Sequence, residues 1–231
     1  MHAPDASIDP NLSTILARQS CFEGLESQII DDLARHTLSA HYERDQIVLM
    51  EGEPCTGLGI VHTGRLKAVR LSVAGREQIL SILRPGEIFN AASVLADVPN
   101  PVTILTLESA DLWFIARESL TLLQERYPSL TRVIARNLAR RVLALVDLVE
   151  DLSLRTVEMR LARQLLTNAQ GNAVQREAWA TQAEISARLG TVTYVLNRTL
   201  RGLEEEGLIR VERDEITILD VEGLAARAEP R

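Results

Sequence analysis

The sequence predicts an α+β chain: a β-rich N-terminal half, one long helix, and a C-terminal helix, turn, helix and hairpin. Three observations predict it. Between about residues 38 and 117, short β-branched runs are punctuated by Gly52, Gly64, Gly75 and Gly86, spaced 12, 11 and 11 apart. Evenly spaced strands with glycine turns indicate an antiparallel sandwich or barrel. After Pro128, Leu138, Val142, Leu145, Val149 and Leu152 step by four and three, a helical repeat. From Thr181 onward two short helical patterns meet at Gly190 and are followed by two strand-like runs.

Taken in order, residues 1–10 carry Pro4 and Pro10 without periodicity and are expected to form a loose arm. "LESQIIDDLARH" (25–36) spaces Leu25, Ile29, Ile30 and Leu33 on one helix face. "QIVLM", "GLGIVHTG", "RLKAVRLSV", "QILSIL" and "VTILTL" are the expected strands, with their glycines where turns need positive φ. Pro128 suits a helix start. The repeat that follows is 3.5 residues long, the seam of a coiled coil, yet over barely two heptads spacing alone leaves an internal amphipathic helix open. Thr156 is placed to cap a helix carrying Met159, Leu161, Leu165 and Leu166, which Gly171 ends.

In the last segment Ile185 and Leu189 mark one helix and Val192, Leu196, Leu200 and Leu203 the buried side of the next, which Gly207 stops. "LIRV" and "EITIL" then flank the charged turn 212–214 as a two-stranded wing. The domains expected are 1–128, a β domain; 129–154, a long helix; and 155–231, the helical unit with its wing.

Composition excludes several classes. No run reaches the roughly 20 apolar residues of a membrane helix and the N-terminus lacks a signal-peptide pattern, so the chain is expected to be cytoplasmic, without a membrane partner. Cys21 and Cys55 stand outside any CxxC spacing and are too few for a disulfide framework or a four-thiolate iron-sulfur cluster. No Ser-His-Asp or Cys-His order, phosphate loop or paired catalytic carboxylates can be picked out, so no catalytic residues and no metal site are expected.

The formal net charge of −7 is unevenly spread. Residues 1–128 hold 10 Lys and Arg against 17 Asp and Glu, whereas residues 129–231 hold 15 of each. From Ile185 to Leu203 there are Arg188, Arg198 and Arg201 and no carboxylate. A local excess decides contact with a polyanion, because at physiological salt fields decay within about 8 Å. A helix fits the major groove of B-DNA, where Arg can donate twice to guanine and Asn can pair with adenine. Asn197 and Arg198 are therefore candidate base readers, with Thr193 and Tyr194 at the helix start. Thr181, Gln182, Thr191 and Arg201 are candidates for holding the backbone.

"EGEP" (51–54), "HTGRLKAVR" (62–70), "GREQILSILRPGEIF" (75–89), "RNLARRVLALVDLVEDLSL" (136–154) and "TQAEISARLG" followed by "LNRTLRGLEEEGLI" together resemble the Crp/Fnr family of transcription regulators over nearly the whole chain. The resemblance implies a cyclic-nucleotide-binding-like double-stranded β-roll (a jelly roll) that senses an effector, a dimerisation helix and a winged helix-turn-helix. It also implies a homodimer with its seam at Leu138, Val142, Leu145, Val149 and Leu152, and RNA polymerase as a partner if the protein activates. Two symmetric recognition helices about 34 Å apart would fit a roughly palindromic operator in double-stranded DNA. An effector would act by shifting the pose of the winged units about a hinge near 152–156.

Two departures from the family pattern carry expectations. Family recognition helices commonly read Arg-Glu-Thr-x-x-Arg or Pro-Glu-Thr-x-x-Arg, and here the stretch is "TYVLNR", so the half-site is expected to differ. In cyclic-AMP binders the cassette after "PGEIF" supplies a Glu and an Arg; Ala91 and Pro101 stand there, and Leu145 and Val146 replace the Thr-Ser pair that meets the base. Burying a phosphate without a cation costs several kcal/mol, so cyclic AMP is not expected as the effector.

What remains is an apolar pocket expected at Ala91, Ala92, Val102, Leu105, Asn137, Leu138 and Arg141. "PNPVT" resembles regulators of dissimilatory nitrate respiration, members of which have been linked to haem; His2, His36, His41, His62, Cys21 and Cys55 are the available ligands, none in a motif. No cofactor is expected, with haem the alternative. Two other classes remain beside the regulator: a ligand-binding module acting on a protein partner, and a cupin-type metal enzyme. The enzyme wants clustered His and Glu, but His41 and His62 fall on different strands.

Overall fold

A computed structural model of the chain describes residues 12–73, 75, 77–175 and 180–229. The expected N-terminal arm lies outside them. The chain divides into two compact units, one drawn from residues up to Arg70 and from Leu80–Ala144, the other from Leu71–Ile79 and from Leu145 onward.

The first unit opens with α1 (Leu12–Ala17) and α2 (Ser27–Arg35), the latter burying Ile29, Ile30 and Leu33 as the spacing predicts. Eight strands follow: β1 (Thr37–Tyr42), β2 (Ile47–Leu49), β3 (Gly57–Val61), β4 (Leu66–Leu71), β5 (Glu77–Leu83), β6 (Ile88–Phe89), β7 (Thr103–Thr106) and β8 (Ala110–Ala116). They form two four-stranded sheets, β1-β8-β3-β6 and β2-β7-β4-β5. The pairs β1–β8, β2–β7, β3–β6, β3–β8 and β4–β7 all run antiparallel. The short helix α3 (Ala91–Ala96) precedes β7, and α4 (Arg117–Arg126) follows β8.

Two apolar clusters hold this unit. One joins Leu16, Phe22, Ile30 and Leu33 to Leu58, Ile60, Trp113 and Ile115 and to Leu130 and Ile134 of the long helix. The other, with Val61, Leu66, Leu83, Phe89, Ile104 and Leu112, fills the sheets. β3 is buried along its length, and at Gly59 an added Cβ would overlap the Phe89 ring. Close approach of an aromatic face is what glycine permits there.

The long helix α5 runs Pro128–Leu154. Its N-terminal turns bury Leu130, Val133 and Ile134, whereas Val142, Leu143, Leu145, Val146 and Val149 are exposed. The stretch around the expected hinge carries several arginine bonds. Asp151 accepts from Arg155 Nη1 at 2.6 Å and Arg163 Nη1 at 2.7 Å, and Arg160 Nη1 donates to the Asp151 and Arg155 carbonyls. A guanidinium on terminal carbonyls satisfies groups that lack helical partners.

In the second unit α6 (Val157–Asn168) is capped by Thr156, whose hydroxyl accepts from Met159 N at 3.3 Å. The Met159 sulfur accepts from Thr156 N, so a thioether fills the place that Glu or Gln takes in a capping box. The helix stops at Asn168 rather than running to Gly171, which instead adopts φ +64° in the turn to β9 (Ala173–Gln175). Helices α7 (Gln182–Arg188) and α8 (Thr193–Glu205) follow, then β10 (Ile209–Val211), β11 (Glu215–Ile218) and α9 (Val221–Ala228). The expected two-stranded wing is part of a three-stranded sheet, β10-β11-β9, because β9 pairs with the far side of β11. Leu161, Leu165, Leu196, Leu200, Leu203, Ile209, Ile216 and Leu224 form its core.

Candidate functional site

The C-terminal surface is built by two capped helices and one left-handed turn. Thr181 caps α7: its hydroxyl accepts from Glu184 N at 3.3 Å, and the Glu184 carboxylate accepts from Thr181 N at 3.2 Å. Gly190 takes φ +64°, and an added Cβ would meet Leu152 Cδ2 at 2.6 Å and Gln78 Oε1 at 2.9 Å. Both the dihedral and the space demand glycine. Thr191 N donates to Ser186 O at 2.9 Å, which closes the turn and sets the crossing of α8 over α7.

Because Leu196, Leu200 and Leu203 are buried, the opposite side of α8 faces outward. Tyr194, Asn197, Arg198, Arg201, Gly202 and Glu205 line an open depression of about 550 Å³ along it. Tyr194 is 74% exposed. Thr193, Arg198 and Arg201 are exposed as well, and Thr191 and Asn197 half-buried. Among the described residues, neither Arg198 nor Arg201 has a carboxylate within salt-bridge distance. In contrast, Arg65, Arg70, Arg117, Arg155 and Arg227 are all ion-paired.

Two features of this surface escaped the sequence. Asn197 Nδ2 donates to Gln182 Oε1 at 3.1 Å, linking α8 to the start of α7. The acidic run at the end of α8 also has structural partners: Glu204 accepts from Val211 N at 2.8 Å and Glu206 pairs with Arg227. Glutamates before a charged strand were the only visible signal.

The seven residues expected around an effector fall in different surroundings. Ala91 and Leu138 pack in one apolar cluster and Val102 against the other, while Ala92 is exposed and Leu105 half-buried on β7. Asn137 Nδ2 donates to the Cys21 and Val133 carbonyls. Arg141 donates to Ser81 Oγ at 2.6 Å; burial pushes its guanidinium below its ordinary value, opposed by the Glu87 charge. Pro101 is exposed, and Arg70, brought in from β4, donates to its carbonyl at 2.9 Å while pairing with Glu51 at 3.1 Å. Of the expected seam, Val142, Leu145 and Val149 are exposed, Leu152 is half-buried, and Leu138 packs on its own unit.

The fold brings together a serine, a histidine and an aspartate that could not be picked out of the sequence. Ser109 Oγ lies 3.3 Å from His41 Nε2, and His41 Nδ1 lies 2.8 Å from Asp111 Oδ1. The sequence order hid it, because the β1–β8 register alone brings residue 41 opposite 111. The ring is 54% exposed and Asp111 50%, and Glu43 shares Nε2 at 3.4 Å. An open, carboxylate-shared imidazole is a surface charge network, since nucleophile activation needs Nε2 aimed at serine in a dry site.

Comparison with known proteins agrees with the two-part layout. Residues 39–127 match the family model of the cyclic nucleotide-binding domain and residues 159–227 that of the Crp-like helix-turn-helix domain. The CRP-like cAMP-activated global transcriptional regulator of Mycobacterium tuberculosis is 30% identical over 94% of this chain and 100% of its own. The transcriptional activator protein anr of Pseudomonas aeruginosa is 26% identical over 98% of this chain and 92% of its own. The solved structure of the c-di-GMP responsive global regulator CLP of Xanthomonas campestris superposes with TM-score 0.75 at 19% identity, covering 84% of this chain and 99% of that one. An antiparallel β domain, a long helix and a helix-turn-helix are the layout of Crp/Fnr-type transcription regulators. The chain belongs to the Crp/Fnr family. Among the described residues, no helix is long and apolar enough to cross a membrane.

Proposed function

We propose that this chain is a homodimeric, sequence-specific DNA-binding regulator of the cytoplasm. In this reading 1–128 senses an effector, 129–154 makes the dimer and 155–231 holds DNA. The observation that carries it is the outward side of α8, where Arg198 and Arg201 stand without carboxylate partners among the described residues beside Tyr194 and Asn197. In a chain of net charge −7, unneutralised guanidiniums on a helix that fits a major groove suit a polyanion. Asn197 and Arg198 read bases with Thr193 and Tyr194; Arg201, Thr181, Gln182 and Thr191 hold phosphates. The Thr181 hydroxyl keeps its proton for that purpose, since it only accepts in the cap.

The dimer reading is supported by Val142, Leu145, Val146 and Val149, exposed at helical spacing on one side of α5. A second copy would cover them, and Val142→Glu or Val149→Glu is expected to give monomers by light scattering. Selection of bound duplexes from a random pool tests the whole reading. A palindromic site bound with nanomolar affinity is expected, and failure to bind any duplex at low salt overturns it.

The effector proposed is not cyclic AMP, which the name of the Mycobacterium tuberculosis relative records for that protein. The cation beside Pro101 is already paired with Glu51, and Ala91 lies in an apolar cluster. Haem finds little support in the donor set: His41 is engaged by Asp111, the His62 ring stacks on Trp113 at 4.1 Å, Cys21 and Cys55 are buried, and His36 stands exposed at the end of α2, while His2 lies outside the described residues. Calorimetry with cyclic AMP is expected to show no micromolar binding, and a Soret band after haem reconstitution would reverse the second reading.

A further inference from the structure

We infer that Gln182 is a positioning residue that turns Asn197 into a reader of adenine, so that the operator half-site carries an A·T pair opposite Asn197. The inference rests on the DNA-binding reading above and names the base class it selects.

An asparagine amide offers one acceptor oxygen and two N–H donors, and a freely rotating one can present either end outward. Here one Nδ2 hydrogen goes to Gln182 Oε1 at 3.1 Å. With Gln182 Oε1 as the acceptor, Nδ2 is the end of the Asn197 amide that faces α7. The remaining Nδ2 hydrogen and Oδ1 are left as an adjacent donor and acceptor. Adenine presents the complement in the major groove, the N7 acceptor beside the N6 donor. Guanine presents two acceptors, O6 and N7, and an amide whose second hydrogen is engaged cannot satisfy both. Thymine lacks a donor on that edge and cytosine lacks N7, so neither takes both bonds.

The capping box of Thr181 and Glu184 fixes the backbone of the first turn of α7, from which the exposed Gln182 side chain projects. Its Nε2 hydrogens remain for a phosphate, which lets one side chain orient a reader and touch the backbone. Asn197 lies in the depression beside Arg198, Tyr194 and Arg201, the surface that would face the groove. Gln182 and Asn197 are fifteen residues apart on different helices, so their bond depends on the crossing angle that Gly190 sets.

The test is selection of half-sites from a random duplex pool by the full-length protein and its Gln182→Ala, Gln182→Glu and Asn197→Ala variants, with thermal melting as the check on folding. Wild type is expected to enrich adenine at one position per half-site by roughly tenfold or more, the discrimination typical of a bidentate pair. Asn197→Ala is expected to lose that preference alone. Gln182→Ala is expected to admit guanine at that position while other positions keep their preferences. Gln182→Glu keeps an acceptor and is expected to restore the adenine preference, with weaker binding overall from its negative charge.

Two results would overturn the inference while leaving the regulator reading intact: unchanged preference in Gln182→Ala, or equal weakening of every sequence with a shallower salt dependence, the mark of a phosphate contact. If wild type binds no duplex, the regulator reading falls first and this inference with it.

Discussion

His41 and Asp111 stand directly opposite each other on β1 and β8, with His41 Nδ1 2.8 Å from Asp111 Oδ1. The Asp111 hydrogen bond, with a smaller contribution from Glu43, raises the His41 pKa above its ordinary value; the same bond, helped by Thr63, lowers that of Asp111. A raised histidine pKa stabilises below the unfolded histidine value and the effect is lost as pH rises through the folded one. A lowered aspartate pKa stabilises above the unfolded aspartate value and the effect is lost as pH falls through the folded one. The pair is therefore expected to help most between about pH 4 and 6.5. His41→Gln should lower the melting temperature at pH 5.5 and leave it nearly unchanged at pH 8.5. In NMR titration, Asp111→Asn should bring the His41 pKa down.

Arg198 and Arg201 should separate under mutation. Arg198→Ala is expected to cost about 1–3 kcal/mol on the selected operator and to relax one position. Arg201→Ala should weaken all duplexes alike and reduce the salt slope by about one. Fluorescence anisotropy across a salt series distinguishes them. Equal behaviour of the two variants would contradict the assigned roles.

Leu196 is fully buried in the core of the second unit. Leu196→Ala is expected to cost about 2–5 kcal/mol, the range for a truncated core leucine. Denaturant unfolding followed by circular dichroism measures it. Tyr194→Ala, two residues away but 74% exposed, should cost about 0.5 kcal/mol or less while reducing DNA affinity.

Cys21 is buried at 1% exposure, and burial pushes its thiol up to about 12, with the Glu87 charge adding to the rise. At pH 8 only about one molecule in ten thousand would carry the reactive thiolate there. Iodoacetamide is expected to leave Cys21 unmodified in the native protein and to alkylate it in denaturant, as peptide mass spectrometry would report.

Legibility followed the range of the contacts involved. Gly52, Gly64, Gly75 and Gly86 all take positive φ, as their spacing in the sequence implied, because a turn is a local demand. Leu196, Leu200 and Leu203 on the buried side of α8 and the Thr156 cap were readable for the same reason, whereas Val192, expected on that side too, is the exposed residue that precedes the helix. β8 was missed: "ADLWFIA" lacks flanking glycines, and its strand character comes from lying between β1 and β3. α3 and β9 are too short for a period to show. At the site, outward residues on one helix could be named, but not the Asn197–Gln182 bond, which needs two helices in place. For the expected effector pocket, Ala91 and Val102 were grouped by family alignment, and they pack in different clusters.

The pairing of β9 with β11 has a practical corollary for anyone excising the C-terminal part. A fragment begun at Thr181 would strip β11 of one neighbour across Glu215, Ile216 and Thr217, leaving bare amides and carbonyls on its rim. Such rims recruit other strands, and the short fragment also lacks Leu161 and Leu165 of the core, so it should precipitate or form aggregates. One begun at Thr156 retains the three-stranded sheet and should stay in solution.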